Sequence, residues 1–580
     1  MQPPTLLNWA HPHATSAESG ADLASAQMAQ RLQDTEVARR LVSASNVPIL
    51  LHVYRLNKAA QGIYRQFYGA LSSSNVAFPP VALFFVQFHR CNWEQRGRMS
   101  GRLIVLSNRL ADLHTPDAGG LSVALGKLLR EHGGLWLGWS GLITAETNGE
   151  NRVERSIDGN VEYLCVHFSQ KEHDGYYKNY ANGQLWPLLH QRVDLAEFDG
   201  SGELIYRAVN KRFADTLTSI LDDDDIVWVH DYYFITLAEE LRAAGVMNRI
   251  GFFFHTPLPP SATLAALPNH ESLFSALFAY DLVGFQSHED KENFLSYVRT
   301  YFGDQAVEGS VVTRRGRTLV DVFPLGIDVE NFRAFAQSQG SQEALQRIQQ
   351  EYSRRKLLIG IDPLDYAKGI PHRVRGFGEF LNRFPELRSC ATLIQVAFPA
   401  SDETNSCTDI QSEIESLCGA LNGDIGELNW APVRYIHRTL SREELAGLYQ
   451  AAQVALVTPL RDGVSLVAKE FVAAQNPDAP GVLVLSKFTG DAEQMPAALA
   501  VNPYDKESMA YVMHRALTMS LAERQERHRA LMETISRYDA RWLCDRFLRA
   551  LSRPDPAQQP KIKNLLRKVL RHRVTDSGRF

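Results

Sequence analysis

The chain has 580 residues, 45% apolar and 22% charged, the mix of an ordinary soluble globular protein of roughly two to four domains. Lys and Arg total 61 against 66 Asp and Glu, a formal net charge of -5, which excludes a generally basic nucleic-acid binder. The six cysteines are scattered without a C-x-x-C pair, so the pattern argues against a zinc site and for reduced thiols in a reducing compartment.

Residues 1–98 are rich in Ala, Ser, Gln and Pro at their start and lack strong strand patterns. No segment of the chain reaches the ~18–20 apolar residues that a membrane helix needs, and the best candidate, Val81 to Phe88, is far too short. The first residues lack the basic-then-apolar order of a leader, so a cytoplasmic location is expected. Met99 reads as a natural start, with 1–98 an extension of undefined structure.

From Met99 onward, short apolar runs alternate with helical stretches. In chain order the predicted strands are Arg102 to Ser107, Ile226 to His230, Ile250 to His255, Asp281 to Phe285, Lys356 to Gly360, Ala391 to Val396, Val454 to Val457 and Gly481 to Leu485. Continuous apolar runs bounded by Gly, Pro and Asp suit strands buried on both faces, and the intervening helices imply parallel sheets. A Gln-rich helical stretch between Asp328 and Arg354 joins two halves. The fold class is therefore α/β, two doubly wound domains facing across a cleft, with ligands at the carboxyl ends of the strands. The domains are expected at 99–335 and 336–535, with a helix at 536–552 packing back on the body. The segment 553–580 opens with a Pro-rich breaker and carries Lys561, Lys563, Arg567, Lys568, Arg571 and Arg573, a basic tail.

Polar groups gather where these strands end. Ser107-Asn108-Arg109 follows the first strand, and Gly119-Gly120 opens a helix from Leu121 to Glu131, a geometry suited to an anion. His230-Asp231 and His255 each end an apolar strand, which is costly unless they are hydrogen-bonded or face a cleft. Trp136, Trp139, Tyr177 and Trp186 supply aromatic faces of the kind that suit sugars, as well as an ordinary core. In the second half, Lys368 follows a strand and can neutralise phosphate charge. Thr458-Pro-Leu-Arg-Asp-Gly463 leads into a helix that carries Glu470, a strand–turn–helix design for phosphate. The run Asp222 to Asp225 contains a D-x-D pattern, yet it precedes a strand and reads as a helix-to-strand connection rather than a metal site.

Taken together these segments resemble the retaining glycosyltransferases that make trehalose 6-phosphate from UDP-glucose and glucose 6-phosphate. The resemblance runs from about Met99 to Leu551 through SNR (107–109), GG (119–120), GLWLGWSG (134–141), YYKNYANGQLWP (176–187), VWVHDY (227–232), GFFFHTPLP (251–259), DLVGFQ (281–286), FPLGID (323–328), LDYAKG (364–369), TPLRDG (458–463), LVAKEFVAAQNP (466–477) and NPYD (502–505). It implies two Rossmann-like domains of the GT-B type, no metal and no cofactor. It further implies that Arg109, Tyr177, Trp186 and Asp231 line the acceptor pocket. Gly119 and Gly120 would approach the donor diphosphate, with Trp139 shaping the cleft near it. His255 and Asp462 would contact the donor glucose, Lys368 the diphosphate, and Leu440 the uracil edge. The donor-binding stretch runs on through Gly463, Val464, Ser465, Leu466, Val467, Ala468 and Lys469 to Glu470, which would take the ribose. Lys368, Asp231 and His255 are the expected catalytic residues. The implied partners are UDP-glucose and glucose 6-phosphate, with no nucleic acid, no membrane segment and a homo-oligomer left open.

Two positions depart from the family pattern. Pro363 and Ser401 stand where the family carries an Arg for the diphosphate and an Arg for the acceptor phosphate. Arg354, Arg355, Arg373 and Arg375 are the candidates to compensate. Tyr233 and the run Gly490 to Met495 differ more mildly. The losses keep two alternatives open: a related glucosyltransferase with another acceptor, such as glucosylglycerol phosphate formation or pseudo-sugar coupling, and a non-catalytic nucleotide-sugar-binding homologue.

Overall fold

A computed structural model describes residues 101–110, 120–144, 153–303, 305–314, 316–399 and 405–552. The chain divides into two units, Met1–Arg98 and Met99–Phe580, and every described residue belongs to the second. The extension at 1–98, Gly119, Ser401 and the basic tail lie outside the described residues.

The first half is built on a ten-stranded sheet with the order β3-β4-β2-β1-β5-β6-β7-β10-β9-β8. Its strands are β1 (Leu103–Arg109), β2 (Gly134–Thr144), β3 (Val153–Asp158), β4 (Val161–Ser169), β5 (Ile226–His230), β6 (Arg249–Phe253), β7 (Leu282–Phe285), β8 (Ala306–Val307), β9 (Ser310–Thr313) and β10 (Gly316–Val322). The central strands are parallel, whereas β3 and the β8–β9–β10 meander pair antiparallel at the two edges. The middle strand β5 is buried along its whole length, which is why its sequence is an unbroken apolar run up to His230. Edge strand β3 is exposed and carries Glu154, Arg155 and Asp158, charges that discourage further strand pairing.

The second half holds six parallel strands in the order β13-β12-β11-β14-β15-β16. They are β11 (Lys356–Pro363), β12 (Ala391–Phe398), β13 (Val433–Ile436), β14 (Val454–Val457), β15 (Val482–Ser486) and β16 (Leu499–Val501). Numbered within the half, this is the doubly wound 3-2-1-4-5-6 order, and the winding reverses between β11 and β14. In the first half the same reversal falls between β1 and β5. These two switch points are where ligands bind in such sheets.

Helices cover both faces of each sheet: α1 (Gly120–His132), α2 (Ser201–Thr218), α3 (His288–Phe302), α4 (Val329–Ala336), α5 (Gln339–Glu351), α6 (Ile370–Arg383), α7 (Asn405–Ile425), α8 (Arg442–Ala451), α9 (Leu466–Ala474), α10 (Lys506–Thr518), α11 (Leu521–Arg537) and α12 (Ala540–Leu551). In the first half α2 and α3 contribute Phe213 and Phe294 to one core layer. Leu129 of α1 joins the C-terminal helix in the layer on the opposite face. In the second half Phe332, Tyr449, Phe471 and Leu531 fill one layer, and Phe377, Ile414 and Met513 fill the other. Many helix starts are fixed locally, since Ser287, Asp328, Ser338, Ser441, Asp505, Ser520 and Asp539 each accept an N–H from their own first turn.

The C-terminal helix α12 returns to the first sheet. Phe547 stacks on Trp228 at 4.5 Å and meets Phe323 and Phe253 edge-on. Room for it exists because Gly251 and Gly284 lack a side chain; a β-carbon on Gly251 would sit 2.6 Å from the Phe547 ring.

Two segments read from sequence only as aromatic walls are regular elements. The stretch 134–141 is the first part of β2, with Leu135, Leu137 and Trp139 facing one core layer and Trp136 the other. The Tyr-rich stretch lies in a π-helical segment, His173–Leu185. The aspartate run is a helix-to-strand connection in which Asp225 accepts from the Arg102 backbone at 2.9 Å and from its guanidinium at 2.7 Å, at the amino end of β5.

Candidate active site

The two switch points face each other. From the first half come Arg109, at the end of β1, and Asp231, directly after β5. From the second come Lys368, in the turn Tyr366–Lys368 after β11, and Asp462, between β14 and α9.

Asp231 is held in an unusual backbone conformation, with φ of 70° and ψ of 170°, a costly region for a residue with a side chain. The strain aims its carboxylate at the next strand end. Its Oδ1 accepts N–H groups from Tyr232 (3.0 Å), His255 (3.2 Å) and Thr256 (3.4 Å), and the Thr256 hydroxyl at 3.2 Å. Burial nonetheless pushes its carboxyl up to about 6, against those four donors. His255 lies one strand further on, its imidazole pushed down to about 3 by burial and therefore neutral at pH 7. Its Nε2 is 3.0 Å from Nδ1 of His230.

Around this pair stands an aromatic wall. Tyr177 stacks on Tyr233 at 5.9 Å and tilts against Trp139 at 5.3 Å. Trp139 is itself buried on Phe168, with its indole N–H given to the Leu142 carbonyl, and Arg109 lies over its ring at 5.8 Å. Trp186 packs on His190 at 3.9 Å and donates its indole N–H to Asp365 at 3.0 Å. Asp365 also accepts the Ala367 N–H, which closes the turn carrying Lys368. Gly369 then takes a left-handed conformation, φ 66°, to start α6, with Pro371 in its first turn.

Lys368 and Asp462 form a buried ion pair, Nζ to Oδ2 2.5 Å. Burial works against the ammonium, but Asp462 outweighs it and holds Lys368 above its ordinary value. The residue after Asp462 is Gly463, where any β-carbon would run into the His255 carbonyl oxygen, so the backbones of the two halves touch here. Val464, Ser465, Leu466 and Val467 are half-buried at the start of α9, a helix with no side-chain cap. Its N–H groups and its dipole point positive charge at the crevice. Glu470, one turn on, accepts the Tyr449 hydroxyl at 3.1 Å, and burial pushes its carboxyl up to about 7. Leu440 is buried just ahead of the Ser441 cap of α8, and Gly120 is the first residue of α1.

Some expected residues serve elsewhere. Lys469 is buried, bound to the Leu325 carbonyl and paired with Asp491 at 2.8 Å, so its side chain ties the two halves together. Ala468 turns into the core beneath α9. Of the proposed compensating bases, Arg373 is 0% exposed and committed to Asp362, Gln395 and the Thr458 hydroxyl. Arg375 pairs with Glu413, and Arg355 donates to the Asn429 carbonyl. Arg373 therefore supports the Lys368 turn from below and replaces no missing charge at Pro363.

Sequence patterns did not reveal Asp365, His190, Tyr449 or Asp491 as parts of the site. Asp491 accepts the Ser465 N–H at 2.5 Å, and only its position in space, 26 residues on, brings it there. Glu289 and Arg461 pair across the halves at 2.7 Å. The backbone N–H groups of His288 and Glu289 cap onto Glu493.

Opposed switch points, an aromatic wall and an uncapped helix start beside a lysine define a two-domain α/β group-transfer enzyme with the GT-B fold. The sequence model of glycosyltransferase family 20 matches residues 102–553, and the chain belongs to that family. A trehalose-6-phosphate synthase of Sinorhizobium fredii is 41% identical over 462 residues, covering 78% of this chain and 98% of the relative. Among solved structures, an α,α-trehalose-phosphate synthase (UDP-forming) of Burkholderia xenovorans in complex with glucose-6-phosphate is 38% identical with a TM-score of 0.74, covering 78% of this chain and 100% of that one. The E. coli enzyme bound with UDP-2-fluoro glucose is 36% identical with a TM-score of 0.74, covering 78% and 99%. None of the described helices is long and apolar enough to cross a membrane, and the four described cysteines are free thiols.

Proposed function

We propose that the chain is a retaining glucosyltransferase that forms α,α-trehalose 6-phosphate from UDP-glucose and glucose 6-phosphate and releases UDP. The observation that carries this reading is the contact of Gly463, the residue after the ion-paired Asp462, with the carbonyl of His255, whose own N–H is held by Asp231.

Glucose 6-phosphate lies against Arg109, Tyr177 and Trp186, with Asp231 accepting from an acceptor hydroxyl. The donor glucose lies against His255 and Asp462, the diphosphate against Gly120, Lys368 and the first N–H groups of α9, the ribose against Glu470 and the uracil edge against the Leu440 backbone. The acceptor hydroxyl attacks C1 on the face the diphosphate leaves, through an oxocarbenium-like state, and its proton passes to the leaving diphosphate. The residues supply no nucleophile; they stabilise charge that grows on the leaving group, the demand that preorganised donors meet best. Contacts across the crevice exclude water that would otherwise consume the donor. The scattered free thiols support a cytoplasmic setting.

The commitment of Arg373, Arg355 and Arg375 to other partners also favours a second reading, in which the acceptor carries no phosphate where the family binds one. Incubation of the full chain with UDP-glucose and glucose 6-phosphate tests the first reading: UDP and trehalose 6-phosphate appear together, and Lys368→Ala abolishes both. UDP release with another acceptor only would establish the second reading, and nucleotide binding without turnover would sink both.

A further inference from the structure

His230 is not among the groups expected to touch either substrate. It is 2% exposed, at the end of β5, wedged between the Trp228 ring at 4.8 Å and the Phe253 ring at 6.2 Å. Its Nδ1 lies 3.0 Å from His255 Nε2, with the two imidazoles stacked at 5.2 Å. Its other nitrogen, Nε2, is buried with no partner among the described residues. Both rings are neutral at pH 7, since burial pushes each imidazole down.

One proton lies between the rings, and it belongs to one of two nitrogens. If His255 Nε2–H donates, His230 must carry its own proton on Nε2, as a buried donor with nothing to receive it. The indole N–H of Trp228, in the adjacent ring, is already a buried donor without a partner. A second such donor in the same apolar patch adds to an unpaid desolvation. If instead His230 Nδ1–H donates, its Nε2 is a bare lone pair, and the patch around the adjoining Trp228 and His230 rings holds one unpartnered donor instead of two.

We propose that His230 is the positioning residue of His255: it donates Nδ1–H to His255 Nε2, fixes the ring plane and leaves the His255 proton on Nδ1. His255 then offers an N–H donor on its crevice side to a hydroxyl of the donor sugar. This inference rests on the reading of His255 as a donor-sugar contact, and it gives His230 a role without contact to any substrate.

The test measures binding of UDP-glucose and of UDP to the full chain and to His230→Phe, His230→Asn, His255→Ala and the double variant His230→Phe/His255→Ala, by calorimetry. His230→Phe keeps the ring in its slot and removes both nitrogens; it weakens UDP-glucose by about 5–10-fold, the value of one neutral hydrogen bond, and leaves UDP within about twofold. His230→Asn, whose amide replaces the Nδ1–H, restores part of that affinity. In the His255→Ala background His230→Phe has no further effect. A change at His230 that weakens UDP and UDP-glucose alike, or that still acts when His255 is absent, overturns the positioning role in favour of plain structural damage. Unchanged UDP-glucose affinity in His230→Phe overturns it as well. If the unaltered chain binds neither ligand, the proposed function itself falls, and the inference with it.

Discussion

The indole nitrogen of Trp186 donates to the Asp365 carboxylate at 3.0 Å, and the same carboxylate closes the turn that presents Lys368. An aromatic side chain of the first half is thus hydrogen-bonded to the turn of the second half that carries Lys368. Arg192 repeats the pattern nearby, lying over the Tyr366 ring at 5.4 Å. In the proposed reading, recognition of one substrate is thereby tied to the piece of structure that binds the other.

Loss of this link should be felt by both substrates. Asp365→Ala, a residue outside the acceptor pocket, is expected to lower kcat/KM for glucose 6-phosphate by about tenfold, since misplacement of a positioned group has effects of that order or more. UDP release without acceptor should rise at the same time. Steady-state kinetics with each substrate varied in turn decides it; a change confined to the UDP-glucose KM would show that Trp186 and the loop act independently.

In the proposed reading, this chain brings one positive charge fewer to the leaving group, at Pro363. Pro363 ends β11 and is exposed, its strand in register with Phe398, so a longer side chain fits there without burial. Pro363→Arg is expected to raise turnover by about 10²–10³-fold, the range assigned to one preorganised donor at a developing charge. Turnover that stays level would mean the helix start and Lys368 already meet the demand.

Protonation of Glu470 should govern donor affinity near neutrality. Its carboxyl is pushed up to about 7 by burial, against the hydrogen bond from Tyr449. If Glu470 holds the ribose as proposed, the ribose hydroxyls need the carboxylate as acceptor, so the Kd for UDP-glucose should rise as pH falls through about 7. Glu470→Gln should bind weakly at every pH with that slope removed. Calorimetric titration between pH 5.5 and 8.5, a range set about ~1.5 units either side of that value, checks it; the same slope in the variant would assign the proton elsewhere.

Phe547 anchors the C-terminal helix on glycines 251 and 284. Phe547→Ala leaves a cavity under Trp228 and is expected to cost about 3–5 kcal/mol. Denaturant unfolding followed by tryptophan fluorescence measures it, and a shift of under about 1 kcal/mol would show that α12 is held by other contacts.

The sequence made the scaffold plain wherever burial was complete. The unbroken run ending at His230 became β5, and Val454–Val457 became β14 residue for residue, because a strand covered on both faces has no room for polar side chains. Gly134–Thr144 was harder: glycines and tryptophans alternate there with no clean period, and the strand is buried only from Leu135 to Trp139. The π-helical segment His173–Leu185 left no periodic trace, since its polar and aromatic residues face a site as well as a core. Lys368, Asp231 and His255 were legible as polar residues at the ends of apolar strands. Arg373 was misjudged because charge on a helix ordinarily points to water; here it is drawn inward by Asp362 near the end of β11, Gln395 within β12 and Thr458 just after β14. Asp365 and Asp491 escaped notice because their partners are 179 and 26 residues away.

The bare α-carbon of Gly463 has a mechanical consequence. With no side chain at that position, the main-chain oxygen of His255 rests directly on the opposite backbone. Even a methyl group would act as a wedge, prising the lobes apart and letting solvent reach the anomeric carbon. An alanine at 463 should therefore turn a transferase into a slow hydrolase, and the gauge of the reaction chamber is set by an atom that is missing.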